Sequence, residues 1–167
     1  MAEIPELRTR RLVLRGFRAD DWNAMAVMNA DDDFRRFLGG EPWTRARSWT
    51  AMEAALGQWA LRGYGLFAVE ADGVFAGRVG VLHPAEWQEP ELAWGIATPF
   101  WGIGFAPEAA IAARDWYFDQ FGMARLVSYI VPDNIQSARV AGKLGAVRDG
   151  TVTLGETAAD RWVHRKA

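Results

Sequence analysis

One passage limits what this chain can fold into. Glu91 to Ala97 (Glu-Leu-Ala-Trp-Gly-Ile-Ala) reads as a strand and Pro107 to Gln120 as a helix, and the connection Phe100-Trp-Gly-Ile-Gly-Phe-Ala106 is rich in glycine. The first turn of a helix carries N–H groups with no partner in the helix, and its macrodipole adds partial positive charge there. A strand that delivers such a helix start through glycines is therefore a site for an anionic ligand. Gly102 and Gly104 allow positive φ and close backbone approach, and Pro107 has no N–H to leave unsatisfied. A phosphate cradle of this kind needs no basic side chain. A P-loop would place Gly-Lys-Ser/Thr at the helix start, where this chain has Gly104-Phe105-Ala106. A dinucleotide fingerprint would need a third glycine at Pro107 and an acid at the end of the next strand, which reads Tyr129-Ile-Val-Pro132. A glycine turn with no ligand is the plain alternative.

Trp101-Gly-Ile-Gly-Phe-Ala-Pro-Glu-Ala109 resembles the pyrophosphate-binding loop of the GNAT (Gcn5-related) N-acetyltransferases, Gln/Arg-x-x-Gly-x-Gly/Ala. Trp101 stands in the Gln/Arg position, Gly104 is the fixed glycine and Ala106 closes the pattern. The Trp-Gly-x-Gly-x-Ala form is similar to the branch containing the ribosomal-protein N-terminal acetyltransferases. The resemblance runs from the Arg-Thr-Arg-Arg-Leu-Val-Leu-Arg15 opening to about Ala146.

The 167 residues suit one domain, residues 1–167, and half of them are hydrophobic, which excludes a disordered chain. A net charge of −2 argues against a general nucleic-acid or anionic-membrane surface. There is no apolar run of bilayer length and no signal pattern at the start, so a cytoplasmic protein without membrane contact is expected. Without cysteine there is no disulfide, no thiolate nucleophile and no cysteine-based metal site, and two histidines, His83 and His164, do not make a zinc site. Nine tryptophans exceed ordinary core needs, so some are expected to line a cleft.

Periodicity predicts a strand at Arg11–Arg15, a helix from Asp20 or Asp21 to Asn29, and a short helix at 31–38. A helix capped by Thr44 follows to Arg62, then strands at 65–70 and 74–82 joined by Asp72-Gly73. After the central strand and helix come a strand at 125–131, a helix at 134–144 and closing strands at 146–154 and 160–165. The expected architecture is an α/β (α+β) GNAT fold: a mixed, mostly antiparallel central sheet with helices on both faces.

The resemblance implies an enzyme that moves the acetyl group of acetyl-CoA to a primary amine by direct attack, with no metal. It implies that pantetheine pairs with the backbone at Gly95, Ile96 and Ala97, and that the pyrophosphate sits on Trp101, Gly102, Ile103, Gly104, Phe105 and Ala106. Gly95, inside a strand, marks either a bulge or a packing position. Asn134 and Ser137 fall on the family's Asn-x-x-Ser/Ala segment, where the asparagine contacts the cofactor. Asparagine is also a favoured helix cap. Lys143 and Arg139 are placed to reach an outer phosphate, or simply to be solvated. The family's tyrosine general acid corresponds to Ala141, so Ser137 is the expected hydrogen-bond donor to the thiolate. Glu91, at a strand start where several family enzymes hold a glutamate, is the expected base, with Glu86, Glu89 and His83 competing. Phe37, Glu41, Trp43 and Trp87, with Phe34, are the expected acceptor-cleft residues, the aromatics cradling an ammonium and Glu41 complementing its charge. The acceptor is a protein N-terminal amine or a small-molecule amine, and a homodimer is compatible. A non-catalytic acyl-CoA-binding sensor or scaffold of the same fold is the alternative, and thiol release with and without amines separates the two.

Overall fold

The computed structural model describes residues 3–166. Eight strands make one sheet in the order β1-β2-β3-β4-β5-β6-β8-β7: β1 (Leu7–Arg8), β2 (Leu12–Arg15), β3 (Leu66–Ala71), β4 (Val74–Leu82), β5 (Glu91–Ile96), β6 (Arg125–Ile130), β7 (Val147–Leu154) and β8 (Thr157–Arg165). Neighbours run antiparallel except β5 and β6, which are parallel. The five helices are α1 (Trp22–Ala30), α2 (Asp32–Arg35), α3 (Arg45–Arg62), α4 (Phe105–Phe121) and α5 (Ile135–Lys143). The mostly antiparallel mixed sheet with helices on both faces is the expected architecture.

Alternation along the strands divides the apolar residues between the two faces. Leu12, Leu14, Val79, Val81, Leu92 and Ile96 pack with Ala109, Ala113, Tyr117 and Phe118 of α4. On the opposite face Ala68 and Phe75 meet Met25, Met28, Phe34 and Met52 from α1–α3. Pairs such as Trp59–Phe67, with centroids 4.8 Å apart and edge-on, add aromatic contact to the first layer.

Several boundaries differ from the sequence reading. α4 begins at Phe105, with Gly104 in the left-handed region (φ 85°) before it, so Pro107 lies inside the first turn rather than opening the helix. α2 stops at Arg35 because the Arg35 guanidinium turns back onto the carbonyls of Leu38 and Glu41 and ties residues 36–41 into turns. β8 starts at Thr157, and the two-residue β1 carried no pattern to detect. The Asp72-Gly73 turn forms as expected, with φ of 49° and 79°.

Candidate active site

The site is made by a fork in the sheet. β5 and β6 are in register only at Glu91 and Val127, and beyond that pair they part. Side chains bridge the fork where backbone pairing stops. Glu91 accepts a hydrogen bond from the Tyr129 N–H at 3.1 Å, and the Ser128 hydroxyl donates to the Leu92 carbonyl at 2.6 Å. A cavity of about 180 Å³ lies at the narrow end, bordered by Arg78, Glu91, Tyr129 and Leu66. A wider one of about 530 Å³ runs to the α4 N-terminus. Phe37, Leu38, Trp94, Gly95, Asn134 and Ser137 line both, so the two form one channel through the sheet.

At the wide mouth, Gly102 and Gly104 both have positive φ (77° and 85°), and no side chain caps α4. The N–H groups of its first turn therefore face the cavity without a side-chain partner. Two contacts stiffen this loop. The Trp101 indole N–H donates to the Ile96 carbonyl at 2.6 Å, and Arg11 donates through Nη1 to the Ile103 carbonyl at 2.7 Å. Arg11 is held in turn by Glu108, which accepts from its Nε at 2.7 Å and from its backbone N–H at 2.9 Å. Arg11, its charge matched by Glu108, thus braces from behind a cradle built from main chain. Its neighbours are distant in sequence, which is why it was not picked out.

Main-chain direction along β5 corrects one expectation. The Ala97 N–H donates to the Ala76 carbonyl on the β4 side. By strand alternation Gly95 also turns its amide to β4, leaving Trp94 and Ile96 to face the fork. Of Gly95, Ile96 and Ala97, only Ile96 can offer its N–H to a ligand arm, and its carbonyl is already taken by Trp101. Gly95 is not a bulge, since β4 and β5 pair without a register shift. A Cβ there would come within 3.0 Å of the Phe34 ring, so the glycine admits Phe34 over the strand.

On the α5 wall, the Asn134 side-chain oxygen accepts from the Ser137 N–H at 3.1 Å, which caps the helix. Its amide NH₂ stays available to the cavity, as does the Ser137 hydroxyl. Arg139 and Lys143 border the same wall. Ala141 is fully buried with Ile130 and Ala146, and Trp94 and Trp162 pack against that cluster, so no hydroxyl reaches the channel from this position.

Glu91 is 8% exposed, and burial pushes its carboxyl up to about 7, against a smaller downward pull from the Tyr129 N–H. The competing groups are otherwise engaged. Glu89 is paired with Arg125 and Arg161, and His83 sits between the Tyr64 hydroxyl at 2.9 Å and the Trp87 carbonyl at 3.0 Å. Glu86 is exposed and borders neither cavity.

The expected acceptor residues divide. Phe37 lines both cavities and Phe34 the larger, whereas Glu41, Trp43 and Trp87 line neither, and nor do Ala97 and Ile103. Trp87 packs edge-on against Tyr129 at 5.5 Å. Glu41 points to solvent, and its carbonyl serves Arg35. Trp43 does not offer its ring to an ammonium, because the guanidinium carbons of Arg35 and Arg47 already lie 4.5 Å from its centroid. Arg78, which borders the narrow cavity, is not among the residues the sequence reading names. The signal was present, as it is the one charged residue in the otherwise apolar run Val74 to Leu82.

A sheet forked between parallel neighbours, with a bare helix start at one mouth and a buried carboxylate at the other, gives an α/β fold room for an anionic ligand beside a proton acceptor. The chain belongs to the GNAT family: the family's Acetyltransferase (GNAT) domain matches residues 11–147. An acetyltransferase from Agrobacterium tumefaciens is 30% identical with a TM-score of 0.88, over 99% of this chain and 97% of that one. An uncharacterized N-acetyltransferase of Bacillus subtilis, YnaD, is 24% identical over 86% of this chain and 84% of its own. Structural neighbours include the ribosomal L7/L12 alpha-N-protein acetyltransferase RimL in complex with coenzyme A, 14% identical, TM-score 0.76, over 96% of this chain and 98% of that one. Among the described residues no helix is long and apolar enough to cross a membrane, and no cluster of His, Asp and Glu could hold a metal ion.

Proposed function

We propose that this chain is an acetyl-CoA-dependent N-acetyltransferase in which a primary amine attacks the thioester directly. One observation carries the reading: a single channel joins the unpaired α4 N-terminus to Glu91, whose carboxyl is pushed up to about 7 by burial. Residues 102–106 hold the cofactor's diphosphate at the wide mouth, and Arg139 and Lys143 supply positive charge on the opposite wall. The pantetheine arm follows the open edge of β5 past Trp94 and Ile96, which brings the thioester to the fork. There Glu91 takes the proton from the incoming ammonium through water, the amine nitrogen forms its bond to the acetyl carbon as the carbon–sulfur bond breaks, and the second proton the nitrogen sheds in becoming an amide passes through water to the expelled thiolate. Ser137 donates a hydrogen bond to the departing sulfur, and Asn134 fixes the turn that presents it. With no cysteine in the chain, an acyl-thioenzyme has no place to form.

The acceptor is an amine. RimL's alpha-N-protein activity makes a protein N-terminus one form of it, and a small-molecule amine is the other. Alanine at position 141, which supplies no acid to the channel, favours a second reading, a domain that binds acyl-CoA without turnover. Thiol release from acetyl-CoA, with and without a panel of amines, tests both. Amine-dependent release is expected, and tight coenzyme A binding with no release under any amine would refute catalysis.

A further inference from the structure

Three arginines surround one indole beside the narrow end of the channel. The guanidinium carbons of Arg35, Arg47 and Arg78 lie 4.5, 4.5 and 5.6 Å from the centroid of Trp43. Among the described residues none of the three has a carboxylate within salt-bridge distance, whereas other arginines drawn into the fold do. Arg15 is paired with Asp21 and Glu70, Arg11 with Glu108, and Arg161 with Glu89 and Asp149. Crowding like charges is unfavourable, most of all where they leave water, as buried Arg35 and half-buried Arg78 do while Arg47 stays exposed. The strain is visible in two of the groups. Burial, with the charge of Arg35, lowers Arg78 to about 10, and burial, with the charge of Arg47, lowers Arg35.

Donors are also left over. Arg35 is committed to the carbonyls of Leu38 and Glu41, but Arg78 makes one hydrogen bond, to Asn29 Oδ1 at 3.3 Å. The indole Nε1 of Trp43 is buried with no partner at all. The cluster therefore presents N–H donors and positive charge and no free acceptor, which is the chemistry of a carboxylate site. Its position ties it to the reaction. Arg78 stands opposite Gly95, and Glu91 opposite Leu82, so Arg78 and Glu91 lie on one face of the sheet. Four residues of strand separate the two pairs, about 13 Å, part of which the long Arg78 side chain covers.

We propose that the acceptor is an amine that also carries a carboxylate several bonds from its nitrogen, and that Arg78 and Arg47 bind that carboxylate while Arg35 and Trp43 position them. This rests on the acetyltransferase reading above. An α-carboxylate lies too close to its own amine to span the distance. An acidic side chain near a peptide's N-terminus, or the far end of an ω-amino acid, fits. The cation–π stack on Trp43 holds the guanidinium groups in place until the anion arrives.

The test compares matched acceptors: the peptide amides Ala-Glu-Ala-Ala and Ala-Gln-Ala-Ala, and an ω-amino acid against its own amide. Thiol release gives kcat/KM for each with the wild type, Arg78→Gln and Arg47→Gln, the last at an exposed helix position where folding is not at stake. At least tenfold preference for the carboxylate member is expected in the wild type, falling toward one in both variants, mainly through KM. Binding of the N-acetylated Glu and Gln peptides in the presence of coenzyme A, followed by titration calorimetry, supplies a readout independent of turnover. Thiol release with no preference between pair members would overturn the carboxylate site and leave the acetyltransferase reading intact. No release with any amine would overturn that reading instead. The carboxylate site would then still stand if the Glu peptide alone bound and Arg47→Gln abolished it, and would fall if neither peptide bound.

Discussion

Glu91→Gln separates stability from catalysis at one position. The Glu91 carboxyl is pushed up to about 7 from an ordinary value of 4.5, and desolvation is the main cause. A shift of that size corresponds to on the order of 3 kcal/mol of disfavoured charge, at 1.36 kcal/mol per pKa unit. The folded state therefore holds this proton more tightly than the unfolded chain does. Stability from this group is complete below about 4.5 and is lost as pH rises through 7, because folding must then bury a carboxylate. Glutamine has the same shape, keeps an oxygen for the Tyr129 N–H and never ionises. The variant should melt with the wild type near pH 4.5 and above it at pH 8. A chain of this size shifts by roughly 2–4 °C per kcal/mol, so a gain of about 6–12 °C is the upper expectation. Activity should move oppositely. In the wild type kcat/KM should climb about tenfold between pH 6 and pH 8 as Glu91 ionises, and the variant should lose that rise along with most of its rate. Calorimetric melts across this pH range and thiol-release kinetics on the same preparations give both readouts. A melting difference that did not change with pH, or a variant that kept the wild-type pH profile, would refute the reasoning.

Gly104→Val places a β-branched side chain at φ 85° with its Cβ 3.3 Å from the Arg11 guanidinium, so the dissociation constant for coenzyme A should rise tenfold or more, about 1.4 kcal/mol, by calorimetry. An unchanged constant would remove the diphosphate from this loop. Trp101→Phe deletes the indole hydrogen bond to the Ile96 carbonyl, worth about 1 kcal/mol, and should weaken coenzyme A binding several-fold while lowering the melting temperature by about 2–4 °C. Ser137→Ala should lower kcat while leaving coenzyme A affinity intact, since its backbone N–H still bonds Asn134. Equal losses in both would assign Ser137 to holding the cofactor.

What could be read beforehand followed from local chemistry. Gly102, Gly104 and the helix after them are a short-range pattern, and so is Asp72-Gly73, because glycine's backbone freedom is written in the residue itself. Asn134 as a cap is equally local. The fork between β5 and β6 is not. No residue announces that pairing ends after Glu91 and Val127, and the bridges made by Glu91 and Ser128 reach across 38 and 36 residues. Glu91 could be nominated from its place in a motif, but its shifted carboxyl depends on burial that only the packed sheet supplies. Trp43 is the instructive reversal. An aromatic residue in a loop suits cradling a cation, and it does stack on cations, but they belong to this chain. That inverts the charge expected of the acceptor's far end.

With alanine at position 141, this chain has no tyrosine on α5 where the sequence resemblance implies a general acid, and magnitudes decide how much that matters. An ordinary thiol ionises near 8.5, an alkyl amine such as that of an ω-amino acid near 10.4 and a peptide N-terminal amine near 8. At pH 7.5 expelling the thiolate unprotonated costs about one pKa unit, near 1.4 kcal/mol, whereas freeing an alkyl amine costs about three units, near 4 kcal/mol, and freeing a peptide N-terminal amine less than one unit. For an alkyl amine the larger demand is proton removal, and Glu91, the one strongly raised carboxyl among the described residues, borders the narrow cavity. A hydrogen bond from the Ser137 hydroxyl, worth about 1 kcal/mol or somewhat more to a charged sulfur, is of the size needed for the smaller demand. For an alkyl-amine acceptor, a site built this way can dispense with a dedicated acid and cannot dispense with its base. With an ω-amino acid as acceptor, Glu91→Gln should therefore cost a larger factor in kcat/KM than Ser137→Ala at pH 7.5, and the reverse order, measured by thiol release with that acceptor, would mean that departure of the sulfur limits the reaction.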